Sequence, residues 1–473
     1  MSSLTTARES APAPSEEPSG RGRIGSRLAL ALLAVVACSA AIISGMSVGG
    51  DDKRFVVIPL ATAVGLALAA LAFTRYSVFV LFLLGVRASL DLFKLSGPSA
   101  GNTATNSAAA RGLDPASLLS MLFIVASVLW LLAQYSSGRR LRGSPLRTAL
   151  IVFVAAGAVS VIGATPPEAA LLETARILSV VMMFVVLEQI IRDRDSMLKV
   201  LYAAYASMLF PLAYTLFGMA AGDPASEVKG SFTRLTGPFA QSNTFARYLT
   251  FMIIFGVAIY PTLSRRLRWA LLPVLGVSSV FLLLTLTRSA ILATVVGIIV
   301  VALAAALVPG LTARFATLTA EEQVAGRPET GNSLQWRINY WTKVLPLANQ
   351  NPVTGIGLNM TQYQTSAAKQ PHNDFIRAYV ETGLVGLAAY VMVHFFLLRN
   401  AVLAVQRSAR GTLENGVAAG ALGCAVAFLI GSLGSNMMSN VVSLWYLVAF
   451  SAAAAYVARS RAADPFGRWN LRQ

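Results

Sequence analysis

Apolar residues along the chain gather in runs of hydrocarbon length, separated by short polar or basic connections, which is the pattern of helices that cross a bilayer. The first eight runs lie at roughly Leu28–Val48, Phe55–Phe73, Ser77–Phe93, Leu118–Ala133, Ala149–Ala164, Leu171–Ile191, Val200–Met219 and Phe245–Tyr260. Three more, near Phe375–Leu398, Val417–Leu433 and Val441–Val457, come after a long polar segment that begins near Pro309. Most approach the ~20 residues that span a bilayer.

The connections assign sides. Arg139-Arg140-Leu141-Arg142 and Arg265-Arg266-Leu267-Arg268 both fall in the cytoplasm if the amino terminus is inside, as the positive-inside rule requires. Arg399, Arg407, Arg410, Arg459 and Arg461 put the carboxyl terminus inside as well. On this parity Leu95–Pro115, Ala220–Asn243 and the polar segment are outside. Trp269–Val308 is long enough for two short crossings around Thr287-Arg288-Ser289, but two would leave the polar segment in the cytoplasm. One net crossing with a break or partial re-entry at Arg288 is therefore expected there. The expected fold class is all-α, a polytopic transmembrane bundle of about 12 helices with a large extracytoplasmic loop. The expected organisation is a disordered cytoplasmic tail over 1–26, transmembrane helices over 27–308, the large loop over 309–372, transmembrane helices over 373–460 and a cytoplasmic tail over 461–473. No solenoid period interrupts it.

Composition agrees. The 473 residues are 56% hydrophobic and 12% charged, with a mean hydropathy of +0.64, too apolar for a soluble domain. The net charge of +17 points to positive-inside loops rather than nucleic acid, because Arg and Lys fall mainly in short connections. Met1 to about Ser26 is rich in Ser, Pro, Ala and Glu and carries no cleavable signal-peptide pattern. Cys38 and Cys424 lie inside apolar runs as packing residues, with neither a disulfide framework nor metal-ligand spacing.

The candidate chemistry gathers at Pro371-His372-Asn373-Asp374-Phe375-Ile376-Arg377, where the polar segment meets an apolar helix. Pro371 keeps the incoming backbone extended, and Asn373 or Asp374 caps the helix. The free N–H groups of a helix start favour an anion and disfavour an imidazolium. His372 is thus a candidate neutral base beside a candidate phosphate site. Arg377 and Glu381 are spaced as a helix pair in the less favourable order for the dipole, which leaves part of Arg377 for an external anion.

Further arginines join it. In Trp336-Arg337-Ile338-Asn339-Tyr340-Trp341, Arg337 and Trp341 share one helical face. That stretch is either an interfacial helix anchored by Trp and Tyr or a helix projecting Arg337 into a cavity, where a guanidinium can grip phosphate. Arg288, between apolar flanks, either lines water and meets an anion or marks a turn at the headgroups. Arg234 precedes Gly237-Pro238, a fixed turn entering a helix, and competes with loop solvation, the better account for Arg247. Arg87 and Asp91 read as a mutually neutralising pair, His394 as a boundary residue, and Asp51-Asp52 as a solvated turn. No P-loop, zinc pattern or nucleophile elbow is present.

Together these motifs resemble a family. Pro371-His372-Asn373-Asp374 with Glu381-x-Gly383-Leu384-x-Gly386 is similar to the hallmark of O-antigen ligases and the related polymerases. Thr287-Arg288-Ser289-Ala290 resembles the family's Ser-Arg-Gly-Ala segment, with Thr287 and Ser289 as departures. Arg337, Tyr340, Trp341, Asn351-Pro352 and Gly355-Ile356-Gly357 resemble its large extracytoplasmic loop, and Gly237-Pro238-Phe239 with Asn243 the entry to a middle helix.

The resemblance implies a GT-C-like membrane glycosyltransferase. Such an enzyme moves a glycan from a polyprenyl diphosphate to an acceptor hydroxyl at the outer face of the cytoplasmic membrane, inverting the anomeric centre without metal, nucleotide sugar or cofactor. Its implied partners are the lipid-linked glycan donor, a glycan or glycolipid acceptor and membrane lipid. The site it implies has His372 as base or acceptor-positioning group. Arg288, Arg337 and Arg234 would bind diphosphate, and Asn373, Asp374, Arg377, Tyr340 and Trp341 complete the substrate-binding set. A polymerase of the same family, and a flippase or exporter of the same lipid-linked glycan, remain alternatives.

Overall fold

The structure, a computed structural model, describes residues 54–93, 115–229, 232–306, 333–365 and 369–460. The expectations for the amino-terminal tail, the first apolar run, Cys38, Asp51-Asp52, most of Leu95–Pro115, the stretch 307–332 and the carboxyl tail fall outside them. The chain divides into two compact units, Met1–Val80 and Leu81–Gln473. In the first, α1 (Arg54–Thr74) leads after Arg75 into the start of α2 (Tyr76–Val86). The second holds every candidate residue of the site.

That second unit is built from α3 (Pro115–Ser136), α4 (Pro145–Ser160), α5 (Pro167–Ile190), α6 (Arg194–Ala206), α7 (Leu209–Ala220), α8 (Ser242–Ile259), α9 (Arg265–Leu284) and α10 (Arg288–Ala306). Then come α11 (Ser333–Val344), α12 (Asp374–Arg407), α13 (Leu413–Gly434) and α14 (Val441–Ser460). Among the described residues nine helical stretches are long and apolar enough to cross a membrane, with three shorter apolar helices beside them. The protein is an all-α, multi-pass membrane protein. Among the described residues the strands form one antiparallel hairpin, β1 (Ser226–Lys229) with β2 (Phe232–Leu235), in which Glu227 pairs with Arg234.

Local sequence sets the helix starts. Ser144 caps α4 through Arg147 N (3.3 Å), with Pro145 in the first turn, where its missing N–H costs nothing. Asp193 and Ser196 form a capping box for α6. α14 is the central helix, with 89% of its apolar window buried. Its Phe450 stacks on Phe255 of α8 at 3.8 Å, its Trp445 reaches Ser179 of α5 and its Tyr446 reaches the Leu84 carbonyl. Where helices approach most closely they present glycine: Gly297 of α10 meets Ile254 and Gly423, and Gly420 of α13 meets Phe255. Small residues let helix backbones close up where lipid supplies no hydrophobic drive to associate.

The crossing at Trp269–Val308 differs from expectation. α9 runs antiparallel to α8, since Phe281 packs on Phe245 and Leu275 lies against Gly256. α10 runs parallel to α8: Thr294 bonds Thr250 at 3.0 Å and Gly297 meets Ile254. These are two antiparallel helices, not one broken crossing. The physical reason is the link Thr285–Thr287, where Leu286 takes φ 51 and reverses the chain rather than kinking it. Arg288 and Ala306 therefore stand at opposite ends of the bundle.

α12 is the longest helix, 34 residues, and it is interrupted at Gly383 (φ 67, ψ −168). The residues around this break, Val380–Leu384, carry the segment Pro352–Gly357 through three backbone bonds: Ile356 N to Val380 O (3.1 Å), Gly357 N to Glu381 O (3.0 Å) and Leu384 N to Pro352 O (3.0 Å). Tyr340, Val344, Ile356, Met360 and Val380 pack beneath as one buried cluster. The large loop is thus welded to the start of α12.

Candidate functional site

The turn Ser435–Asn440, between α13 and α14, receives side chains from four other parts of the chain. Arg337 of α11 donates from Nη1 to the Gly434 carbonyl at 2.9 Å, immediately before it. His372 donates its backbone N–H to Asn436 Oδ1 at 2.7 Å, and its Nδ1 lies 3.3 Å from Asn436 Nδ2. Arg247 of α8 donates to the Asn436 carbonyl at 3.1 Å. Met438 N donates to Asp374 Oδ2 at 3.0 Å. His372 itself has φ 56, a conformation that costs a non-glycine residue on the order of 1–3 kcal/mol and is kept where the surroundings enforce it.

What holds the approach to His372 is the aromatic pair expected to touch substrate. Trp341 Nε1 donates to the Pro371 carbonyl at 2.7 Å, and the Tyr340 hydroxyl meets Thr365 Oγ1 at 2.7 Å and the Lys369 carbonyl. Burial pushes the Tyr340 hydroxyl above its usual range, so it stays a donor. Asn373 caps α12, its Oδ1 accepting from Phe375 N (2.9 Å) and Ile376 N (3.2 Å).

A second group of cations stands at the start of α8 and α10. Arg234, at the base of the hairpin, donates from Nε to the Thr285 carbonyl (2.8 Å) and from Nη2 to Thr287 Oγ1 (2.9 Å) and Asn243 Oδ1 (3.2 Å). Arg288 opens α10 beside it, exposed and with no hydrogen bond or ion pair among the described residues. Asn243 and Arg247 are one turn apart on α8, and Arg247, Thr250, Ser289, Ser435 and Met437 line one small cavity. Through α8 the two groups meet at one end of the bundle. None of Arg234, Arg247, Arg288 and Arg337 forms an ion pair among the described residues.

Residues 248–391 match the family model described as O-antigen ligase. That match bears out the family resemblance carried by the motifs. No curated protein matches the chain. The O-antigen ligase segment holds Arg288, Arg337 and His372, while Arg234, Arg247 and the receiving turn Ser435–Asn440 lie outside it. The match supports an O-antigen ligase- or polymerase-like function at the family level only.

The remaining residues named from the O-antigen ligase resemblance turn inward. Arg377, expected to bind substrate, is 0% exposed: Nε pairs with Glu381 Oε2 at 2.8 Å, Nη2 with Glu173 Oε1 at 3.0 Å, and Nη1 with Ser439 Oγ. A buried guanidinium must be matched by charge where it stands, and two carboxylates do so here, which leaves no external anion to invoke. Glu381 also accepts from Asn359 N (2.6 Å) and from Thr361 N and Oγ1 (3.3 and 2.6 Å), so it ties the loop to the bundle. Asp374, also expected at the substrate, is buried and clasps Met438 N and the Tyr390 hydroxyl.

Other readings resolve plainly. Arg87 and Asp91 are a buried pair at 3.1 Å. His394 is 4% exposed and lies between Phe375 and Phe428 in an aromatic cluster, inside the bundle rather than at its boundary. Arg247, read as loop solvation, is instead part-buried against Asn436. The receiving turn and Glu173 carried no expectation. The one signal for the turn was polarity, Ser435, Asn436, Ser439 and Asn440 between two apolar helices, which a solvated connection shows equally.

Proposed function

We propose that the protein is an O-antigen ligase-type glycosyltransferase of the cytoplasmic membrane. It transfers a glycan from a polyprenyl diphosphate to an acceptor hydroxyl on the extracytoplasmic side. The observation that supports this reading is that Arg234, Arg288 and Arg337 stand at the same end of the bundle as His372 without a carboxylate partner among the described residues, while Arg377 is neutralised internally. Unpaired cations at a membrane boundary call for a polyanion, and a diphosphate leaving group gains negative charge as its bond to the sugar breaks. Guanidinium groups held in place by carbonyls and hydroxyls stabilise that charge without reorganising. Arg288, which has no internal partner among the described residues, is the group best able to follow the diphosphate, whereas Arg234 and Arg337 are aimed by Thr285, Thr287, Asn243 and Gly434.

His372 addresses the acceptor, as the group that orients or deprotonates its hydroxyl. Attack from the side opposite the diphosphate inverts the anomeric centre. The chemistry asks for no metal, because the cations are the protein's own. Reconstitution of the purified chain with a polyprenyl diphosphate glycan and a glycolipid acceptor, in chelator, tests the reading. Transfer that falls about 100-fold or more in Arg288→Ala supports it, and wild-type protein without transfer to any acceptor sinks it. A ladder of lengths on the lipid carrier marks polymerisation, and one addition to a separate acceptor marks ligation.

A further inference from the structure

We infer that Asn436, on the turn between α13 and α14, is a positioning residue that fixes His372 as the neutral tautomer with its proton on Nε2. The deduction starts from a donor of certain identity. A backbone N–H can only donate, so the His372 amide, 2.7 Å from Asn436 Oδ1, requires the carboxamide oxygen on that side. The NH2 of Asn436 is thereby turned toward His372 Nδ1 at 3.3 Å. That NH2 is also only a donor, so Nδ1 presents its lone pair and Nε2 carries the proton. An imidazolium would set two donors face to face, so the same carboxamide works against the charged ring.

Asn436 is itself restrained. Its carbonyl accepts from Arg247 at 3.1 Å, and the residues flanking it bond Arg337 through Gly434 and Asp374 through Met438. The left-handed conformation of His372 brings its amide and its ring to one side chain together. Among the described residues the charged groups around the ring's support include Arg247 from α8, Arg337 from α11, Asp374 and Arg377 from α12, and Glu173 from α5 through Ser439. The Asn436 amide nitrogen is set against Nδ1.

The catalytic meaning rests on the glycosyl-transfer reading. There Nε2–H donates a hydrogen bond to an oxygen of the diphosphate or of the acceptor hydroxyl, and the ring does not take up the proton. The sugar–oxygen bond breaks with its electron pair going to the diphosphate. A lone pair of the acceptor oxygen forms the new bond on the opposite face, and the acceptor's proton leaves through water, with an oxygen of the released diphosphate as its final acceptor. Water carries the proton away, and His372 is a donor that orients the diphosphate or the acceptor.

The tautomer is measurable without substrate. The chain has two histidines, His372 and His394, so uniformly 15N-labelled histidine in the full-length protein gives two ring systems, assigned with His394→Phe. The expected wild-type pattern for His372 is an unprotonated Nδ1 and a protonated Nε2. In Asn436→Asp a carboxylate oxygen faces Nδ1 and can only accept, so the proton moves to Nδ1. A wild-type ring protonated at Nδ1, or an Asn436→Asp spectrum identical to wild type, overturns the inference. If Asn436→Asp does not fold, the wild-type spectrum decides alone. In the polyprenyl diphosphate glycan assay His372→Gln, which keeps an N–H donor near the Nε2 position, is expected to exceed His372→Ala by tenfold or more, and equal loss overturns the donor role. Failure of wild-type protein to transfer glycan would count against the proposed function alone, because the spectrum needs no glycan.

Discussion

Gly383 packs its bare Cα against the carbonyl of Val353, so a Cβ there would overlap that group. The contact is reciprocal in kind, since Gly355, φ 78, stands as closely against the backbone of Glu381 and Thr382. Both the left-handed conformation at Gly383 and the overlap exclude any larger residue. Gly383→Ala is expected to lower the melting temperature and detach the outer loop, at a cost above about 1 kcal/mol. Gly276→Ala, in α9 with nothing within 4 Å, should leave the melting curve in place. Fluorescence-detected size-exclusion after heating compares the two.

Removing the buried cation should be worse for stability than removing the exposed one. Arg377→Ala leaves Glu381 without a cation and Glu173 with Arg176 alone, at 3.4 Å, among the described residues; stranding a buried carboxylate costs about 3–5 kcal/mol, and the protein should fail to accumulate as a monodisperse species. Arg288→Ala should melt as wild type does while losing transfer. Equal melting of the two variants would show that the ion network contributes nothing.

Trp341 acts on His372 through one hydrogen bond to Pro371. Trp341→Phe keeps the ring's packing and deletes that bond, with a stability loss of about 1 kcal/mol and a several-fold fall in glycan transfer at unchanged donor affinity. Unchanged turnover would show that the segment before His372 is held without it.

The reversal at Leu286 makes a topological prediction. With Cys38 and Cys424 replaced by Ser, single cysteines at Leu286 and Ala306 should react with a membrane-impermeant maleimide from opposite sides of sealed vesicles. Labelling from one side would restore the single broken crossing.

The apolar runs made the crossing helices legible, because hydrocarbon length is encoded within each run. Pro371–Arg377 was legible as a helix start for the same local reason, and Asn373 caps it. The reversal at Thr285–Thr287 was not, since a break in an apolar stretch reads alike whether the chain kinks or turns back. Nor were the partners of Arg377. Glu381 lies one turn away and was visible, but Glu173 is 204 residues distant, and a spare charge in sequence becomes a neutralised one only when α5 and α12 are packed. The hairpin around Arg234 escaped notice because its four-residue strands are too short to alternate recognisably.

Ser435–Asn440 collects Arg337, His372, Arg247 and Asp374, yet it leaves the ribosome after all of them. A nascent protein halted before Leu413 would already own Arg247, Arg337 and His372, without the turn that holds them. These groups are therefore gathered in one step, when the helical hairpin Leu413–Ser460 inserts, and a half-made chain holds them apart.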